Sequence, residues 1–156
     1  EGGEYPLERV PVNLHASLSG LLAAFYNDFM EKGFDMTVEL EEGLPPVLAD
    51  EGAVLRVFTN LIRNALEHGC GRMEVRLYRE GEQVVSLFRN ETTDLTQEDV
   101  PHVFDRFFTS DKMRTGRNTG LGLAIVKALA DRMGCRVTAD LEDGYFALRV
   151  FWTKMD

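Results

Sequence analysis

The sequence has little cysteine, a deficit of positive charge and no long apolar run, and each shortage narrows what the protein can be. Its two cysteines, Cys70 and Cys135, stand in neither a CxxC pair nor a metal-ligand spacing. Buried thiols in a reducing compartment are the expectation. No apolar stretch approaches the roughly 18 residues of a membrane span, and no signal peptide is visible. The expected location is cytoplasmic, in a parent protein that could sit at the inner face of the cell membrane. Lys and Arg number 17 against 26 Asp and Glu, for a net charge of −9. A nucleic-acid surface needs a basic face, so this balance argues against nucleic acid as a partner. There is no internal repeat or low-complexity segment.

What is present suits one domain with a real core: 156 residues, 44% hydrophobic and 28% charged. Val10–Val12 reads as a short strand. Asn13 is a candidate N-cap for a helix running to about Lys32, with Leu14, Leu18, Leu21, Leu22, Phe25 and Phe29 on one stripe. Met36 to Leu40 alternates as a strand, and Gly43 to Pro46 is a loop. Asp50 begins a second helix through His68, stopped by Gly69. Met73 to Tyr78 and Val84 to Phe88 form a hairpin. From Asn90 to Thr119 apolar periodicity is weak, apart from a short helical piece expected at Glu98 to Phe107. Such a long loop tends to be functional. A third helix at 121–133 and a hairpin of Val137–Leu141 with Tyr145–Trp152 close the chain. The expected order is βαβαββ, long loop, αββ, with the helices on one face of a mixed sheet.

Two stretches carry chemistry. Thr115 to Met133 reads TGRNTGLGLAIVKALADRM. Its glycines at 116, 120 and 122 run into a helix start, where free backbone N–H groups and the helix dipole suit a phosphate. The same pattern also serves a turn that merely opens a core helix. It is not a Walker A loop, since no Gly-Lys-Ser/Thr follows, and no strand immediately precedes it, so a Rossmann fingerprint fits poorly. The second stretch is Asn60-Leu61-Ile62-Arg63-Asn64-Ala65-Leu66-Glu67-His68. Asn60 and Asn64, four residues apart, direct both amides the same way. They read either as the polar edge of an amphipathic helix or as carbonyl oxygens for Mg²⁺ beside phosphates.

NLIRNALEHG, VFDRFFTSDK and TGLGLAIVKALADRMG occur in that order. Together they resemble the N box, F box and second glycine box of the catalytic and ATP-binding domain of two-component sensor histidine kinases. The superfamily also holds gyrase and the heat-shock chaperone and mismatch-repair ATPases. The resemblance runs from about Leu44 to Phe151. It implies an α+β, two-layer α/β sandwich of the Bergerat type, with a mixed, mostly antiparallel sheet and helices on one face. Residues 1–156 would form a single catalytic domain with an ATP lid at 92–118. ATP and Mg²⁺ are the implied cofactors. Asn64 takes the position that holds the metal, and Asn60 lies beside the phosphates and a metal-bound water; these two are the implied catalytic residues. Asn90 stands at the adenine-reading position and Phe107 within the lid-anchoring F box. Lys112 and Arg114, with Arg117 nearby, would offset phosphate charge. Thr119, Gly120, Leu121 and Gly122 would supply the hinge and the backbone donors. The implied partners are the phosphoacceptor (dimerisation) domain of the same kinase and a response regulator.

The chain departs from the family pattern in three places. Where the first glycine box usually reads Asp-x-Gly-x-Gly, it has Asn90-Glu91-Thr92-Thr93-Asp94. Where the N box usually carries Lys or Arg it has Glu67. None of His15, His68 and His102 is followed by an acidic residue, so the phosphoacceptor domain is expected to lie outside this chain. The gyrase and chaperone branches carry a water-activating glutamate at the position of Asn60, so the amide argues against simple hydrolysis. The alternatives are an interaction module of the same fold impaired in nucleotide binding, and an anti-sigma-type serine kinase.

Overall fold

In this computed structural model the residues described are 6–106, 108 and 122–155. Helix α1, Leu14–Glu31, starts where the Asn13 side chain accepts from Ala16 N at 3.0 Å, and it buries Leu14, Leu18, Leu22 and Phe29. Helix α2, Glu51–His68, is capped by Asp50, whose Oδ1 accepts from Ala53 N at 2.8 Å. Helix α3, Leu123–Met133, is bounded by Gly122 and Gly134, both left-handed with φ of 72° and 74°.

Strands β2 (Asp35–Leu40), β4 (Cys70–Glu80), β5 (Gln83–Glu91), β6 (Arg136–Glu142) and β7 (Tyr145–Thr153) form one sheet in the order β2-β4-β5-β7-β6. Only β2 runs parallel to its neighbour β4; the other pairs are antiparallel. This is the expected mixed, mostly antiparallel sheet with helices on one face. The helix-facing side is marked by Phe58 of α2, whose ring lies 6.1 Å from Phe88 and 5.7 Å from Trp152. Trp152 is fully buried, and its indole N–H donates to Ser86 Oγ at 3.0 Å. The opposite side neutralises itself. Arg76 pairs with Glu39, Arg89 with Glu74 and Arg149 with Asp140. The Arg89 and Arg136 guanidinium groups each lie 3.9 Å over a ring, Tyr145 and Phe151.

Three expectations need correction. Strand β3, Val47–Ala49, pairs antiparallel with β1, Val10–Val12. Three residues after Pro45-Pro46 are too few to show a period, and β1, far away in sequence, makes them a strand. Glu98 to Phe107 is not a helix: its described part closes only one 3₁₀ turn, Val100–His102. The Asp99 carboxylate accepts from Thr96 N at 2.9 Å, and Gln97 Nε2 donates to Leu141 O at 2.6 Å. Val103 is buried in the core. Beyond it the chain continues in separate turns, with Asp105 N on His102 O at 2.9 Å and Phe108 N on Asp105 O at 3.1 Å, and not as a continuous helix. Finally, Cys70 is exposed at the start of β4, while Cys135 is buried. Burial pushes the Cys135 thiol up to about 11, so it stays a neutral core side chain.

Asp50 ties two parts of the chain together. Its second oxygen accepts from Glu8 N at 2.8 Å, while Arg9 Nη2 donates to Arg132 O at the end of α3 at 3.0 Å. The Glu8 and Ala53 backbone donors hold the Asp50 carboxyl below its ordinary 3.8. A carboxyl depressed in the folded state contributes stability above about pH 4, lost as pH falls through the folded value. Asp50→Ala should therefore cost on the order of 1 kcal/mol at neutral pH. Urea unfolding should show that difference shrinking between about pH 4 and pH 2; a difference constant with pH would contradict the assignment.

Candidate functional site

Helix α2 brings the candidate residues together because its period places Asn60, Asn64 and His68 one turn apart on one flank. Five polar residues are buried among those described: Asn64, His68, Ser86, Asn90 and Thr92. Ser86 serves Trp152. The other four belong to the second half of α2 and the end of β5 with the residue that follows it. Desolvating polar groups costs free energy, so their concentration in these two neighbouring pieces of chain marks a site.

Asn64 does not lie at the helix surface, where an amphipathic edge would put it. It is 3% exposed, and its Oδ1 has no hydrogen-bond partner among the described residues. A buried carbonyl left unbonded costs about 1–3 kcal/mol. One turn back, Asn60 Nδ2 donates to Arg56 O at 2.8 Å, which fixes the amide and leaves Oδ1 turned toward Gly122. A Cβ on Gly122 would sit 3.2 Å from that oxygen. Glycine is thus required there twice, for its φ of 72° and for the close approach of α3 to α2.

Gly69 ends α2 in extended backbone, φ −90° and ψ 172°, not in a left-handed cap. What demands glycine is Asn90: a Cβ would lie 2.6 Å from Asn90 Nδ2 and 2.8 Å from Ala65 O. The Asn90 amide is buried against this gap, with Nδ2 donating to Glu91 O at 3.0 Å. Thr92 completes the junction. Its Oγ1 donates to His68 O at 3.5 Å and accepts from Asp94 N at 3.2 Å. From the sequence, Thr92 is a missing box glycine at the start of the expected lid, and His68 is a structural or surface histidine that could touch the nucleotide. A threonine in place of a box glycine was the available signal that a side chain fills this space.

Oxygen without nitrogen or sulfur is what Mg²⁺ prefers, with few protein ligands. The described residues contain no group of three or more His, Cys, Asp or Glu able to hold a metal. The orphaned Asn64 oxygen, with Asn60 Oδ1 a turn away, fits Mg²⁺ better than zinc. Of the other expected site residues, Phe107, Lys112, Arg114, Thr119, Gly120 and Leu121 lie outside the described residues. So does most of the lid range beyond 106. Its first part is anchored: Leu95 and Val103 are buried, and Thr92 N bonds Gly144 O at 3.0 Å. No described helix is long and apolar enough to cross a membrane.

Two glycines separate close packing from backbone entropy. Gly69→Ala must displace Asn90 or the Ala65 carbonyl and should cost about 1–3 kcal/mol. Gly20, exposed on α1, has nothing within 4 Å of a Cβ, so Gly20→Ala should stabilise by about 1 kcal/mol. Denaturant midpoints shifting in the same direction for both would refute the packing described at Asn90.

The family described as histidine kinase-, DNA gyrase B- and HSP90-like ATPase matches residues 49–154. The sensor histidine kinase component HK1 of Mycobacterium tuberculosis is 34% identical over 123 residues, 78% of this chain and 73% of that protein. The chain spans only 25%, 32% and 42% of three other sensor histidine kinases that it resembles. Among solved structures, the catalytic domain of the histidine kinase ThkA aligns with a TM-score of 0.83 at 21% identity, covering 96% of this chain and all of that one. Full-length ShkA in complex with AMPPNP aligns at 0.78 and 24% identity, covering 97% of this chain and 32% of that one. With the Asn60–Asn64 face, Asn90 and the α3 glycine in the arrangement described, this chain belongs to the histidine kinase-, gyrase B- and HSP90-like ATPase family, as a catalytic ATP-binding domain of the sensor histidine kinase type.

Proposed function

We propose that this chain binds Mg-ATP between the sheet, α2 and the lid. It then donates the γ-phosphate to a histidine on the separate phosphoacceptor domain of the same kinase, upstream of a response regulator. The observation that carries the reading is the buried, unbonded Asn64 Oδ1. Asn64 would hold the metal, and Asn60, its amide clamped by Arg56 O, would present an oxygen at the phosphate end. Bound Mg²⁺ would neutralise charge on the phosphate oxygens. The chain's own work is positioning. Asn90 reads the adenine edge, Phe107 anchors the lid, and Lys112 and Arg114 offset β- and γ-phosphate charge. Thr119, Gly120, Leu121 and Gly122 offer backbone N–H groups to the phosphates. An amide at Asn60 cannot take a proton from water. That favours handing the phosphoryl group to another nucleophile over hydrolysis.

One observation favours a second reading, an interaction module that keeps the fold and loses the nucleotide. Thr92 is buried and bonded to His68 O where the family pattern has its first glycine, so a side chain occupies space that glycine would leave open. Calorimetry with Mg-ATP decides between the two. Micromolar binding supports the kinase domain, and no binding at millimolar nucleotide supports the module.

Asn64→Ala should abolish Mg-dependent ATP binding while lowering stability by less than about 1 kcal/mol, because the atom removed already lacks a partner. Equal Mg-ATP affinity in parent and variant would remove Asn64 from the site. With labelled ATP the chain alone should stay unlabelled and a phosphoacceptor hairpin added in trans should acquire acid-labile label.

Asn90 gives a further test. A carboxylate accepts a stronger hydrogen bond from an adenine amino group than an amide does, by on the order of 1 kcal/mol. Asn90→Asp should therefore tighten ATP by less than about tenfold and raise the ATP-to-GTP preference. If both stay unchanged in parallel titrations, Asn90 does not read the base.

A further inference from the structure

The solvent-facing side of α2 carries a shallow groove of about 290 Å³ lined by Leu55, Arg56, Thr59, Asn60 and Arg63. Asn60 belongs both to this groove and to the contact with Gly122, so the groove opens beside the end of the site where the phosphates are proposed to lie. Arg56 and Arg63 are exposed, seven residues apart on one helix. Two helical turns put them about 10 Å apart along the axis. They flank Asn60, one on each side in sequence.

Their charges are uncommitted. Arg76, Arg89 and Arg149 on the sheet are each paired with a carboxylate. Arg9 satisfies a carbonyl. The Arg56 and Arg63 guanidinium groups have no ion pair, ring contact or hydrogen bond among the described residues; only the backbone carbonyl of Arg56 is used, by Asn60. In a chain of net charge −9, two unpaired arginines beside the phosphate end form a local positive face. An acidic protein repels an acidic partner everywhere except at such a face.

We propose that the Arg56–Arg63 side of α2 is the docking surface for an acidic helix face of the phosphoacceptor domain, with partner carboxylates spaced two turns apart to meet the two guanidinium groups. This rests on the kinase reading above and specifies the partner chemistry that reading requires. The arginines act on the approach and register of the acceptor. They are assigned to the partner and not to the nucleotide: Asn60 is the groove residue that approaches Gly122, while Arg56 reaches α3 further along, lining a separate cavity with Leu129 and Arg132.

The test is the charge-reversed variant Arg56→Glu/Arg63→Glu, with the phosphoacceptor hairpin of the same kinase supplied as a separate chain. The Asn60 bond goes to the Arg56 backbone and survives the change. Calorimetry should give Mg-ATP affinity within about twofold of the parent. The KM for the hairpin should rise by about tenfold at low salt while kcat changes little, and its ionic-strength dependence should flatten. Lysines in place of hairpin carboxylates seven residues apart should restore the KM of the reversed variant. An unchanged KM overturns the proposal. So does a tenfold loss of ATP affinity in the variant, which would assign the arginines to the nucleotide. Parent protein that binds Mg-ATP yet transfers to no hairpin overturns it as well. Failure of the parent to bind Mg-ATP at all removes the kinase reading itself, and calorimetry on the parent distinguishes that case.

Discussion

Asn64 Oδ1 sets the terms for the rest of the molecule. A carbonyl oxygen held inside a protein without a donor costs about 1–3 kcal/mol, and the fold holds this one 3% exposed on the side of α2 that faces neither bulk water nor a protein donor among the described residues. That position depends on a well-anchored helix. Asp50 caps its first turn and simultaneously accepts Glu8 N, while Phe58 seats its other side on Phe88 and Trp152. A helix so fixed cannot rotate the amide out to solvent. On the function proposed above, an oxygen-binding cation would relieve the cost, and the unfavourable term would become a source of selectivity for a hard metal.

The same economy of space governs the neighbouring contacts. Asn90 fills the volume that a side chain at Gly69 would occupy, and Asn60 Oδ1 lies where a side chain at Gly122 would press. Two amides are brought close to backbone by two glycines serving different needs. At Gly122 the backbone itself is left-handed; at Gly69 it is ordinary extended chain and only the absence of Cβ counts. Thr92 then bridges the segment after β5 to the end of α2 through His68 O, next to the buried Asn90 amide.

The two layers divide their tasks by charge. On the outer sheet face, where Val85, Leu87 and Ala147 are buried, the described residues also form ion pairs and stack arginines on aromatic rings. Such pairs contribute little stability individually; their effect is to leave that face closed and neutral. The helix layer carries Asn64, His68 and the close approach of α2 to Gly122, and the end of β5 adds Asn90 with Thr92 after it, so the buried polar groups of the candidate site gather where the two layers meet.

Much of this was legible in order of residues alone. Helical period put Asn60 and Asn64 on one flank of α2, Asn13 and Asp50 announced the starts of α1 and α2, and the apolar period of α3 carried it to Met133, because these features depend on neighbours within about four residues. The order of the three motifs, read the same way, pointed to the family. Whatever depended on distant chain was not legible. The three residues of β3 become a strand only because β1 lies alongside. Glu98 to Phe107 gives up its helix because Leu141 and the core hold it at separate points. Cys70 is exposed at the irregular start of β4, where the register against β5 shifts between Cys70 and Met73. Asn64 is the clearest division. The sequence by itself determined that it shares a helix flank with Asn60. Only the tertiary structure decided that this flank is buried, since burial is set by which other elements pack against it and not by any local pattern.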